Sequence, residues 1–189
     1  MCIIIRKASD ADIVAVSDIY SLIHDSEERG DVSIGWSRSV YPTCDTALQA
    51  LKRGDLYVML KNGSVVASAI INHYQDESYR RGEWSVDTPA DKVMVLHTLT
   101  VNPHYEGKGL GRAFVDFYET YARGCGCTSL RLDTQHINHR AAALYPRLGY
   151  RSAGKVTSSF NGLRDVTLLL FEKLIRDTDV QNGFSIGYS

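Results

Sequence analysis

The sequence predicts a single α/β domain, and three features predict it. Helical stripes of apolar residues alternate with short runs of strand formers, an Asn-Gly pair joins two of those runs as a hairpin, and a strand, a glycine-rich turn, a helix and another strand succeed one another between residues 93 and 133. At 189 residues with 44% hydrophobic residues the chain can bury one well-formed core, and no Pro-, Gly- or Ser-rich linker divides it. One domain over residues 1–175 is expected, with a C-terminal tail at 176–189.

Cys2 to Arg6 is an opening run of strand formers. Ser9 precedes Asp12 by three residues in a capping-box pattern, and Ile13, Val16, Ile19, Tyr20 and Ile23 then recur at helical spacing. A shorter helix follows from Asp45 to Arg53, stopped by Gly54. Leu56 to Leu60 and Val65 to Asn72 flank Asn62-Gly63, a pair suited to a type I′ turn because both central residues there need positive φ, so strands two and three are antiparallel. The polar stretch from Tyr74 to Lys92 is long enough to be either a functional loop or poorly ordered. Val93 to Val101 reads as strand four. Leu110, Ala113, Phe114, Phe117, Tyr118 and Tyr121 keep a helical stripe until Gly124, and Thr128 to Asp133 is strand five. Such a crossover makes strands four and five parallel and directs the helix N-terminus toward the carboxyl end of strand four.

Composition narrows the function classes. The formal charge is −1 with acids and bases interspersed, so no field gathers nucleic acid or an anionic membrane. The first residues carry too short an apolar run for a signal peptide, and no later stretch approaches the ~18 apolar residues of a membrane span. A soluble cytoplasmic protein is expected. Cys2, Cys44, Cys125 and Cys127 are too few for a disulfide scaffold, and the 6 histidines show no ligand spacing, so no metal is expected.

Gly107, Gly109 and Gly111 sit just before the second long helix. The free amides of a helix's first turn and the positive end of its dipole attract an anion, and residues without side chains let phosphate oxygens reach them. The spacing G-x-G-x-G is neither the G-x-G-x-x-G of dinucleotide folds nor the G-x-x-x-x-G-K-[ST] loop of triphosphate sites. A nucleotide-binding interaction domain is thereby disfavoured.

Leu99-Thr100-Val101-Asn102-Pro103, Glu106-Gly107-Lys108-Gly109-Leu110-Gly111-Arg112, Asn138-His139-Arg140-Ala141 and Leu144-Tyr145-Pro146-Arg147-Leu148-Gly149-Tyr150 resemble the GCN5-related N-acetyltransferase (GNAT) superfamily. The resemblance implies the acyl-CoA N-acyltransferase fold, a mixed, mostly antiparallel sheet of about six or seven strands with flanking helices and with parallel strands four and five splayed apart. It implies acetyl-CoA as co-substrate. Backbone groups of Leu99, Thr100 and Val101 would meet the pantetheine arm, the loop Glu106, Gly107, Lys108, Gly109, Leu110, Gly111 and Arg112 the pyrophosphate, and Asn138 the arm from the opposite side. A tyrosine at position 145 would give a proton to the departing thiolate; a phenol of pKa ~10 stays protonated beside a thiol of ~8.5.

The attacking amine must also lose a proton. Asp133, at the end of strand five, matches a position where some family members carry an acidic base; His97 and Glu83 are rivals, and water can relay the proton to bulk. His97 alternates with Leu99 and Val101, so these three side chains are expected on one face. Glu106 stands where the family usually has Gln or Arg and is expected to point outward, offset by Lys108, Arg112 and Arg140. Pro146 lacks the amide that would bond Ala142, so its helix is expected to kink or end there. Trp36, Tyr41, Tyr74, Tyr79 and Trp84 either wall an acceptor pocket for a substrate with an apolar or cationic part or cover the core.

The resemblance therefore implies direct transfer of acetyl to a primary amine, of a small molecule rather than a protein. A silent acyl-CoA-binding module and a protein N-terminal acetyltransferase are the alternatives. A homodimer contact involving the tail, with Phe184 and Tyr188, is also expected.

Overall fold

The computed structural model describes residues 3–160 and 162–175. The proposed tail contact and the opening position Cys2 lie outside them. The elements, in order, are β1 (Ile3–Lys7), α1 (Ile13–Glu28), α2 (Cys44–Arg53), β2 (Leu56–Lys61), β3 (Ser64–Asn72), β4 (Val93–Val101), α3 (Leu110–Gly124), β5 (Ser129–Gln135), α4 (His139–Arg147), β6 (Arg151–Phe160) and β7 (Leu163–Leu174). They build a 7-stranded sheet in the order β1-β2-β3-β4-β5-β7-β6, with β4 and β5 parallel and every other pair antiparallel.

Local chemistry accounts for most boundaries. Asn62 (φ 52) and Gly63 (φ 82) both adopt the left-handed conformation that the β2–β3 turn requires. Thr43 caps α2 by accepting from the Thr46 amide, and Gly54 ends it at φ 74. α3 runs to Gly124 as its apolar stripe predicts. Pro146 sits in the last turn of α4, whose helix stops one residue later. Because side chains alternate across a strand, β4 sends Val93 and Val95 to one face and Met94 and Leu96 to the other, where α3 packs with Phe114, Val115 and Tyr118. α1 and α2 cover the opposite face over β2 and β3 through Val16, Tyr20 and Ala50.

The stretch between β3 and β4 is ordered against the sheet rather than loose. Tyr79 is 2% exposed within a single 3-10 turn, Glu77–Arg81. Ser85 anchors the segment's far end, its amide donating to Glu172 Oε2 at 2.8 Å, and the Arg131 guanidinium lies 4.0 Å over the Trp84 ring. Trp84 Nε1 in turn donates to the Tyr79 carbonyl at 2.7 Å. Tyr79 and Trp84 therefore belong to the core, whereas Tyr74 is 66% exposed. Among the described residues no helix is long and apolar enough to cross a membrane.

Candidate active site

β4 and β5 pair only from Val93–Ser129 to Leu96–Leu132, although each strand continues beyond. The cause lies at Thr98, a non-glycine residue at φ 49. On the β3 side His97 faces Ile70 and Thr100 faces Ser68, so β4 carries one extra residue there. A bulge bends its strand and adds twist, which turns β4 away from β5 and leaves its β5-facing edge without a strand partner past Leu96. A cleft of about 890 Å³ opens between the two strands, flanked by α3 and α4.

The same bulge corrects one sequence expectation. Val95 packs on the Tyr79 side of the sheet, while Leu99 and Val101 pack with Met94 and Leu96 on the α3 side. One inserted residue resets the period-two alternation, so His97 does not share a face with Leu99 and Val101.

The glycine turn forms one wall. Gly107 (φ 72) and Gly109 (φ 76) hold left-handed conformations, and a Cβ built on either meets nothing within 4 Å. These glycines are needed for backbone shape, and the space above them is not filled by protein. Gly109 is the N-cap of α3 and has no side chain to satisfy the first turn. Ala113 is the first helical amide with a backbone acceptor, so amides 107 to 112 lack one among the described residues. Leu144 of α4 and Val101 of β4 stand 3.9 Å from the position a Gly111 Cβ would take, which places all three elements around one opening.

Side chains from α4 form the other wall. Asn138 caps α4, its Oδ1 accepting from the Ala141 amide at 3.1 Å, which leaves its Nδ2 for the cleft. Arg140 bridges to the Glu106 carboxylate. Glu106 thus lines the cleft rather than pointing simply outward, and its charge is taken up by a partner from the opposite wall. Lys108 turns back to the His104 carbonyl and over the Tyr105 ring, so only its backbone remains for the cradle. The Thr100 hydroxyl is buried against Ser68, so Thr100 too contributes main chain. Arg147, which drew no attention in the sequence, lines the same cleft with Arg112 and Arg140.

Tyr145 lies on this cleft at 6% exposure, its ring packed on Tyr150 and Phe171 at centroid distances of 5.9 and 5.5 Å. Burial, and then the charge of Asp133, push its phenol well above the usual range. Asp133 also lines the cleft, where β5 leaves β4. Burial raises its carboxyl to about 6, partly opposed by the Tyr79 hydroxyl, which donates to Oδ2 at 2.7 Å. His97 stands nearby on β4, and burial lowers its imidazole to about 4. Its Nε2 donates to Asn72 Oδ1 (3.2 Å) and the Tyr74 carbonyl (3.1 Å), leaving a neutral ring with a free Nδ1 lone pair. Glu83 is not brought to the cleft: its amide bonds the Ala153 carbonyl on β6, and its carboxyl carbon lies 3.8 Å from where a Gly154 Cβ would stand. Among the described residues no cluster of His, Cys, Asp and Glu has the makings of a metal site.

A family model described as Acetyltransferase (GNAT) family matches residues 17–150. The chain belongs to this family. Over 76 residues it is 33% identical to N-acetyltransferase 8B of Homo sapiens, a match covering 39% of this chain and 34% of that protein. Over 72 residues it is 32% identical to D-amino-acid N-acetyltransferase HPA3 of Saccharomyces cerevisiae, covering 38% and 44%. The matched stretch is thus less than half of either relative. Salmonella typhimurium yncA, solved with its cofactor acetyl-CoA, superposes with a TM-score of 0.68 at 20% identity over 94% of this chain and 96% of that one, which establishes a shared fold.

In this GNAT chain the segment between α1 and α2 lines the cleft together with Asp133. Ile34, Gly35 and Trp36 donate their amides to the Glu27 carboxylate at the end of α1. Gln135 Nε2, at the end of β5, donates to the Gly35 carbonyl at 2.6 Å. Gly35 has φ 82, and a Cβ there would stand 2.0 Å from Gln135 Oε1. Trp36 and Tyr41 meet edge-on at 6.0 Å on the cleft lining, and the Tyr41 hydroxyl bonds Thr98 Oγ1. The sequence marked the two aromatics but not Glu27 or Gln135, whose partners lie in other elements.

Proposed function

We propose that this chain transfers an acetyl group from acetyl-CoA directly to a primary amine of a small molecule. One observation carries the reading: the unpaired amides of residues 107 to 112 open on the same cleft as Tyr145 and Asp133. The residues present fit the co-substrate. An anionic diphosphate satisfies donors that otherwise have no acceptor, and the room above Gly107 and Gly109 admits it. Arg112, Arg140 and Arg147 add positive charge along that wall, and the unpartnered edge of β4 at Leu99 to Val101 can bond the amides of a pantetheine arm. Asn138 Nδ2 serves the arm from α4.

When bound, acetyl-CoA supplies an activated thioester. Asp133 accepts the proton that an ammonium must give up before its lone pair can attack; its raised pKa, about 6, sits closer to the working range than an ordinary carboxylate. His97 is the weaker of the two bases because its imidazole is pushed down to about 4. Tyr145 Oη holds a proton at all physiological pH values and is free of a hydrogen-bonded acceptor, so it can donate to a departing thiolate. The α1–α2 segment, fastened to Glu27 of α1 and Gln135 of β5 over the amine end, supports a small-molecule acceptor.

Thiol release from acetyl-CoA across a panel of amines tests the reading, alongside calorimetric binding of acetyl-CoA. Binding without release on any amine would leave a silent acyl-CoA module in its place. Gly109→Glu is expected to lose acetyl-CoA binding, because the new carboxylate enters the space reserved for phosphate and the backbone at φ 76 resists a side chain. Affinity retained by this variant would remove the glycine cradle from the account.

A further inference from the structure

We infer that the acceptor is an amine with an apolar or aromatic body and no carboxylate, so that the cleft takes phenethylamine and rejects phenylalanine. The inference rests on the acetyltransferase reading above and adds the chemical class of the amine. It comes from the uneven placement of charge along the cleft.

Among the described residues the arginines on the lining are Arg112, Arg140 and Arg147, all on α3 or α4, and no lysine stands there. Arg112 adjoins Gly111, Arg140 is bridged to Glu106, and Arg147 follows Arg140 by seven residues, two turns along one helix face. All three therefore stand on the α3 and α4 walls, and none on β4, β5 or the α1–α2 segment. The amine end is lined by Ile23, Val32, Ile34, Trp36, Tyr41 and Leu168. Its ionisable groups are Asp31, His97 and Asp133. Asp31 is held at the rim by Arg29 at 2.9 Å, with Arg29 outside the lining. His97 is neutral and Asp133 is anionic above about 6. The end that receives the amine is thus neutral to negative.

Part of the neutral donor set that a carboxylate would need is also committed elsewhere. The amides of Ile34, Gly35 and Trp36, which could have formed an anion nest, already converge on Glu27. Tyr41 and Thr98 bond each other. Arg38, also in the α1–α2 segment, is absent from the lining and tied to Asp25 at 2.6 Å and Glu28 at 2.8 Å. The clasp between Gln135 and Gly35 fixes the segment, so no cation swings in. A carboxylate entering here would shed water, find no cation on this part of the lining, and face Asp133. An ammonium on an aromatic body gains Asp133 and the faces of Trp36 and Tyr41.

The test measures kcat/KM by thiol release for phenethylamine, L-phenylalanine and D-phenylalanine at saturating acetyl-CoA. Phenethylamine is expected to exceed both amino acids by at least about tenfold. Equal or better turnover of either amino acid overturns the inference, as does turnover confined to other carboxylate-bearing amines; in those cases the transferase reading stands. Acetyl-CoA binding with no turnover of any amine overturns both. Ser33→Arg, which adds a cation to the amine end without touching Asp133 or Tyr145, is expected to reduce the preference about tenfold. An unchanged preference in that variant would show that the missing cation is not what rejects the carboxylate.

Discussion

Replacing Tyr145 with Phe is expected to lower kcat by about 10²–10⁴ while acetyl-CoA binding is kept. The ring makes its contacts with Tyr150 and Phe171 through carbon, and Phe preserves them, so the variant should fold as the parent does. Only the hydroxyl is lost, and the hydroxyl has no partner whose bond the fold depends on. Burial and the neighbouring Asp133 keep the phenol in its protonated form, the form that carries the proton to be donated. A thiolate leaving into a buried cleft without that proton must carry its charge out of water, and the penalty appears in the chemical step rather than in binding. Steady-state kinetics paired with calorimetry separates the two. Parallel losses in kcat and acetyl-CoA affinity would make the phenol a structural element and end its proposed role as acid.

Where the sequence predicted structure well, the signals were local. Strand four, α3 and the Asn62-Gly63 turn follow from residues within a few positions of each other. The resemblance placed Leu99, Val101, the glycine loop, Asn138 and Tyr145 on segments that the fold gathers around one cleft. What escaped prediction depends on contacts across the fold. Thr98 adopts φ 49 with no glycine or asparagine to announce it, so the reversal of His97 relative to Leu99 was invisible to alternation. Glu83 and Asp133 were equal candidates as carboxylates; the fold separates them because Glu83 is tied to β6 while β5 carries Asp133 to the point of divergence. Tyr79 was one of five aromatics, and only the packing of its segment under Trp84 and Glu172 brings its hydroxyl to Asp133. Glu27 looked like any acid at a helix end, yet it organises a loop through three amides that come seven to nine residues later.

Asp133→Asn is expected to remove most of the activity, with a loss of about 10²–10⁴ in kcat, and to stabilise the protein at the same time. In the parent, activity should fall as pH drops through about 6, where the buried carboxylate takes up its proton. The sign for stability follows from the same shift. The native pKa lies above the ordinary value of 3.8, so the folded state binds this proton more tightly than the unfolded one. That favourable contribution is fully present at pH values below the unfolded pKa and is lost as pH rises through about 6, leaving a buried charge that costs stability at neutral pH. Asparagine carries no charge and can still accept from Tyr79, so its melting temperature should exceed the parent's at pH 8 and the gap should close toward pH 4. Tyr79→Phe provides the converse. The Tyr79 bond lowers the Asp133 pKa, so its removal should move the acid limb of the kcat profile to higher pH. A limb that stays in place in Tyr79→Phe, or that persists in Asp133→Asn, would assign the titration to another group and transfer the base's role to His97 or to water.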